Sequence, residues 1–135
     1  MREILCRGKR IDNGEWVYGF YYRVTKNSVP ENGHYITCFK DLPNGETILT
    51  ESYEVIPESV SLYTGCVDRN SVKIFEGDIA REGCNGLVRE VIWDNSEHVY
   101  KLKGTGYGYT IEDSEIEWTI IGNIFDHPEL LKEEH

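Results

Sequence analysis

From Gly14 to Arg23 the chain reads GEWVYGFYYR, and Trp16, Tyr18, Phe20 and Tyr22 stand at every second position. An extended strand turns alternate residues to one side, so the four rings share a face, and rings on such a face are expected in a core. Upstream, EILCRG at 3–8 supplies a partner strand. Asp12, Asn13 and Gly14 join the two, Asn13 and Gly14 tolerating the positive φ of a hairpin turn. The polar, turn-rich stretches TKNSVPENG (25–33) and KDLPNGE (40–46) then bound two further strands, HYITCF at 34–39 and TILTESYEVI at 47–56.

After Pro57 the pattern changes. PESVSLYTG (57–65) predicts one helical turn with Glu58 near its start. A dense series of short apolar segments follows, VKIF, DIARE, GLVREVIWD, HVYKLK and EWTIIGN, separated by Gly, Asn and Asp. Five strands at this spacing predict a small barrel or a strongly bent sheet. In DHPELLKEE, Asp126 can cap and Pro128 can enter the first turn of a short terminal helix that docks through Leu130 and Leu131.

Composition supports the β bias and narrows the partners. At 135 residues the chain suits one compact domain with a small annex, and its 13 Gly, 9 Tyr and 3 Trp favour strands and turns. Residues 1–50 hold 7 Lys and Arg against 6 Asp and Glu, whereas residues 51–135 hold 7 against 18. Most of this surface repels a phosphate backbone, since nucleic-acid affinity comes largely from cations displacing counterions. RGKR at 7–10 is the one basic cluster, and a solvated strand end or turn is its plainer reading. No apolar run reaches the roughly 18 residues of a membrane span, and MREILCRGKR has no extended apolar segment of the signal kind, so the chain is expected in the cytoplasm. Cys6, Cys38, Cys66 and Cys84 form no C-x-x-C pair and read as thiols, small and buried, in a reducing compartment.

Candidate chemistry is sparse. In IFEGDIAR (74–81), Gly77 supplies an unusual backbone angle between two short strands, and Asp78 can hold the corner by accepting backbone amides. The alternative is a cation-binding cluster of Glu76, Asp78 and Glu82, with Glu76 and Asp78 on one strand face. Asp-Arg-Asn at 68–70 imitates the start of a calcium loop, but the sixth position is Lys73 and the twelfth is Ile79. GTGYGY at 104–109 imitates a dinucleotide fingerprint with Tyr109 where the third glycine belongs. His34, His98 and His127 share no ligand spacing, and none stands in a nucleophile signature. The tryptophans and tyrosines could instead form a stacking platform for bases or a peptide. No metal, cofactor or catalytic residue is assigned.

RGKRIDNGEWVYGF, LYTGCVDRNSVKIFEGDIAR, VIWDN and IIGNIFDHPELL together resemble the YopX family of phage and prophage proteins, over nearly the whole chain. Ser71 departs from the family pattern, which has Gly after the asparagine matched by Asn70, and this argues against a tight turn with positive φ at that residue. The resemblance implies a mainly β protein: an SH3-like β-barrel with a short C-terminal helix over 57–135, and an N-terminal β section over 1–56 that mediates self-association. It also implies life inside an infected bacterium or a lysogen, and it brings no reaction with it. Gly65, Gly77, Asp78 and Gly122 are read as structural. The expected function is that of a non-enzymatic interaction protein, a homo-oligomer that binds a host or phage protein, its acidic surface steering it to basic partners. The alternative is a nucleic-acid-binding barrel using Arg7, Lys9, Arg10, Arg23 and Lys26 beside exposed rings.

Overall fold

The computed structural model describes residues 4–24, 33–83, 86–103 and 118–132. Residues 25–32 with Lys26, the residue Cys84 and the GTGYGY segment lie outside the described residues. The chain is mainly β and divides into two compact units, Glu3–Leu62 and Tyr63–His135.

In the first unit β1 (Cys6–Lys9) and β2 (Trp16–Arg23) form the opening hairpin, with Lys9 opposite Trp16 and Cys6 opposite Gly19. Gly14 takes φ 73° in the connection, and Asn13 Oδ1 accepts the Glu15 amide at 2.9 Å. β3 (His34–Asp41) and β4 (Thr47–Glu54) add to the far side of β2. β2 changes partners midway: Trp16–Gly19 pair with β1, Phe20–Arg23 with β3. At the handover β3 crosses so close that a β-carbon on Gly19 would lie 2.1 Å from the carbonyl oxygen of Thr37. The ladder between β3 and β4 also slips: Thr37 faces Ser52 and Phe39 faces Leu49, so β4 carries an extra residue in a bulge. A turn of 3-10 helix follows at Pro57–Ser59, and Ser59 Oγ accepts the Lys9 amide at 2.8 Å.

The core of this unit is Cys6, Ile36 and Val55 with Val17 and Val60 packed on them. These residues alternate with the rings. The expectation that the rings of β2 enter the core is therefore corrected: Val17 and Gly19 face inward, and the aromatic side of the strand is turned out.

β5 (Ser61–Val67) begins the second unit's strands, its Ser61 and Leu62 still pairing with β1. Sequence reading covered this stretch with a helical turn and missed the strand. β5 continues beside β6 (Lys73–Phe75), and a separate antiparallel sheet runs β10-β7-β8-β9. Its strands are β7 (Asp78–Glu82), β8 (Val88–Asp94), β9 (Val99–Leu102) and β10 (Trp118–Asn123). Among the described residues no pairing closes a barrel; the strands form two antiparallel sheets. Ile74, Ala80, Val91, Leu102 and Trp118 make the core, with Cys66, Tyr100 and Ile120 against it. One terminal turn, α1 (Glu129–Lys132), ends the described chain.

The turns of this unit are held by side chains. Ser71 has φ 64° despite its β-carbon, so the positive-φ turn argued against above is present with a serine in it. Gly77 has φ 87° and Gly65 φ 91°. Gly122 sits at a register shift in β10, and a β-carbon there would lie 2.7 Å from His127 Nδ1.

Candidate functional site

The outward face of the first unit is the most unusual surface described. Tyr18, Phe20 and Tyr22 of β2 remain 47%, 40% and 39% exposed, and Leu49 of β4 is 63% exposed. Cross-strand contacts order the rings: Phe20 stacks on Phe39 with centroids 4.8 Å apart, and Tyr22 on Tyr35 at 5.4 Å. Between them Thr37 and Ser52 share a hydroxyl hydrogen bond of 2.8 Å, so the centre of the face leaves neither hydroxyl unmatched. Stacked pairs at these distances fix the ring orientations, and a rigid amphipathic surface loses little entropy when covered.

At one border the face becomes basic. Arg7 and Lys9 alternate with Gly8 on β1, and both lie over the Trp16 ring, at 5.0 and 5.8 Å from its centroid. The guanidinium of Arg7 also donates to Ser61 Oγ at 3.0 Å. Arg10 turns to the other side, donating to both carboxylate oxygens of Asp12 at 2.9 and 2.6 Å and covering the Tyr53 ring at 4.0 Å. Arg23 lies at the far end of β2, opposite His34. The structure thus brings Arg7 and Lys9 together, sets Arg10 and Arg23 elsewhere, and Lys26 is outside the described residues.

The acidic candidates separate in the same way. Glu76 is not on a strand face with Asp78; Glu76 and Gly77 form the turn from β6 to β7. Asp78 is buried, and its Oδ2 accepts the Phe75 amide at 2.7 Å. Asp68 is likewise buried and spends both oxygens on backbone amides: Asn70 and Val72 donate to Oδ1 at 2.8 and 3.0 Å, Ile120 to Oδ2 at 2.9 Å. Among the described residues no three His, Cys, Asp or Glu side chains gather as a metal site.

The histidines are dispersed. His34 Nδ1 meets Tyr21 Oη at 2.6 Å, His98 stacks on Trp93 with centroids 6.4 Å apart, and His127 Nδ1 accepts the Asn123 amide at 3.3 Å. Cys6, Cys38 and Cys66 are free thiols. Burial pushes Cys6 and Cys38 above the ordinary thiol range, which disfavours the thiolate a nucleophile needs. No helix among the described residues is long and apolar enough to cross a membrane.

Sequence reading found the rings but not their exposure, and it missed Gly19. The signal was present in one respect: a glycine inside a strand pattern marks a place where another backbone comes close, and β3 passes against Gly19.

Comparison with known proteins agrees with this architecture. The family described as YopX protein matches residues 6–132. No curated protein matches. Among solved structures, the crystal structure of protein EF1440 from Enterococcus faecalis is similar with a TM-score of 0.62 at 19% identity, covering 97% of this chain and 99% of that one. At that identity the likeness concerns the fold.

Proposed function

The chain belongs to the YopX family, and on that premise we propose that it is a non-enzymatic interaction protein of a phage or prophage, self-associating and binding a host or phage protein in the bacterial cytoplasm. The exposed ring face of Tyr18, Phe20, Tyr22 and Leu49 carries the reading. Contiguous apolar surface on this scale marks contact sites, and tyrosine and phenylalanine are the side chains that make such sites adhesive. Asp68, Asp78, Cys6 and Cys66 support it from the other side, because the two acids are committed to backbone amides and the two thiols to the cores. In this reading the second unit is a bent sheet of the SH3-like kind the family resemblance implies, with Gly77 and Asp78 holding its corner. Its acidic surface keeps the protein dispersed and draws basic partners. Affinity capture from host lysate tests the partner: retention of one defined protein by the native chain, lost on Tyr18→Ala with Tyr22→Ala, supports the reading, and no specific protein at low or moderate salt removes it.

A second reading, a nucleic-acid-binding protein, draws on one observation: Arg7 and Lys9 flank Trp16 at the border of the ring face. Cations beside stacking rings are the elements of single-strand binding. Retention on single-stranded DNA or RNA at low salt, reduced by Lys9→Glu and falling steeply with salt, would favour it.

A further inference from the structure

We propose that the outer border of β4 at Thr47–Leu49 receives a short extended segment of the partner protein as an added strand, apolar where it passes Leu49 and basic at its ends. This rests on the protein-binding reading above and names the form in which the partner arrives. Hydrogen bonds of the β3–β4 hairpin fix which groups are open. Across its turn the Leu42 amide donates to the Glu46 carbonyl at 2.7 Å. In an antiparallel ladder such bonded pairs alternate with pairs whose amides and carbonyls point away from the partner strand. Asp41 lies opposite Thr47, Lys40 opposite Ile48 and Phe39 opposite Leu49, so Ile48 is bonded to β3 while Thr47 and Leu49 turn their amides and carbonyls outward. β4 is the outer strand, and among the described residues no strand pairs with Thr47–Leu49 on that side. A row of outward donors and acceptors on a strand matches another extended backbone, whereas a helix has spent its amides and carbonyls internally.

The surroundings describe the segment. It is short, because the bulge after Leu49 breaks the row, and beyond it the Ile11 amide already takes the Glu54 carbonyl at 3.1 Å. It is apolar at one position, because the exposed Leu49 side chain lies on the ring side opposite Phe39. Its ends are basic, because Asp41, Glu46 and Glu51 outnumber Lys40 around the open groups.

A library of random heptapeptides displayed on yeast, sorted against the full chain, supplies the probe. Selected peptides are expected to alternate apolar and polar residues and to carry Lys or Arg toward their ends. With such a peptide at saturation, hydrogen exchange of the Thr47 and Leu49 amides, followed by NMR, should slow tenfold or more, while Ile48, already tied to β3, changes little. Thr47→Pro removes one outward donor and no ladder bond, so it should weaken peptide binding tenfold or more with far-UV dichroism unchanged. Thr47→Val loses the same hydroxyl but keeps the amide, and should bind like the native chain. Peptides that bind and leave both exchange rates unchanged overturn the proposal, as does binding that is indifferent to Thr47→Pro or lost equally in Thr47→Val. Failure to select any peptide overturns it too. The ring-face reading stands through each of these failures if lysate capture still depends on Tyr18 and Tyr22, and falls only with that capture.

Discussion

Asp68 and Ile120 are joined by a hydrogen bond of 2.9 Å from the Ile120 amide to Asp68 Oδ2, tying the turn between β5 and β6 to a strand 52 residues further along the chain. With Asn70 and Val72 on Oδ1, the buried carboxylate serves three amides. An aspartate suits such a place because its two oxygens carry enough lone pairs on a short side chain to accept from all three.

Asp68→Ala should therefore destabilise the protein by about 2–3 kcal/mol, because three part-buried amides lose their acceptor at about 1 kcal/mol each. Asp68→Asn keeps one oxygen and should lose less. Urea denaturation followed by far-UV circular dichroism reads both. A midpoint unchanged in the alanine variant would mean that water replaces the carboxylate without loss.

Ser71 holds φ 64° in the same turn. A left-handed conformation costs a residue with a β-carbon about 1–2 kcal/mol, and glycine gives back part of that as unfolded-state entropy. Ser71→Gly should thus raise stability by up to about 1 kcal/mol, seen as an increase of a few degrees in melting temperature. A decrease would show that the serine side chain compensates for its backbone.

This turn shows where local sequence rules stop. Asp68-Arg69-Asn70-Ser71 signals a turn, but its conformation is set by the amides that Asp68 gathers, one of them in β10, and no local pattern shows Ile120 arriving. The alternation from Trp16 to Tyr22 fixed a strand and a shared face, both present. It did not fix which face packs, because that depends on where β3 crosses. The glycine at 77 and the acid at 78 were readable as a pair because their roles, an unusual φ and an acceptor for a nearby amide, are local ones. β5 was hidden because Thr64, Gly65 and Cys66 break its apolar alternation.

Gly19→Ala should be among the most damaging single-methyl changes in the first unit. The added carbon would meet a backbone carbonyl oxygen at 2.1 Å, and a ladder cannot yield as a flexible side chain can. A loss of about 3 kcal/mol is expected, with the Tyr and Trp near-UV dichroism of the hairpin weakened. Wild-type stability in this variant would place the crossing of β3 elsewhere.

In the β8–β9 hairpin, Lys101 lies 2.5 Å from Asp94 and holds its carboxyl below the usual range, helped by the amides of Glu97 and Ser96. A depressed acid contributes stability above its unfolded pKa and loses it as pH falls through the folded value, so the contribution of Asp94 is present at neutrality and fades below about pH 4. Lys101, raised by the same pairing, loses its part only as pH climbs past the ordinary lysine range. Asp94→Asn keeps the Oδ1 acceptor for the two amides, so it should lower the melting temperature slightly at pH 7 and leave it unchanged well below pH 4. An equal difference at both acidities would assign the effect to the turn instead of the charge.

The slip in the ladder between β3 and β4 reaches beyond this pair of strands. β4 is the outer strand of its sheet; the Ile11 amide covers Glu54 at its end, and an unblunted border along the rest is a template on which further chains can be laid down. The extra residue throws the outward amides and carbonyls out of step halfway along, and Glu51 sits at that break. An arriving strand can match one half of the border but not both, so a protein that presents so many bare rings is still protected against growing into fibrils.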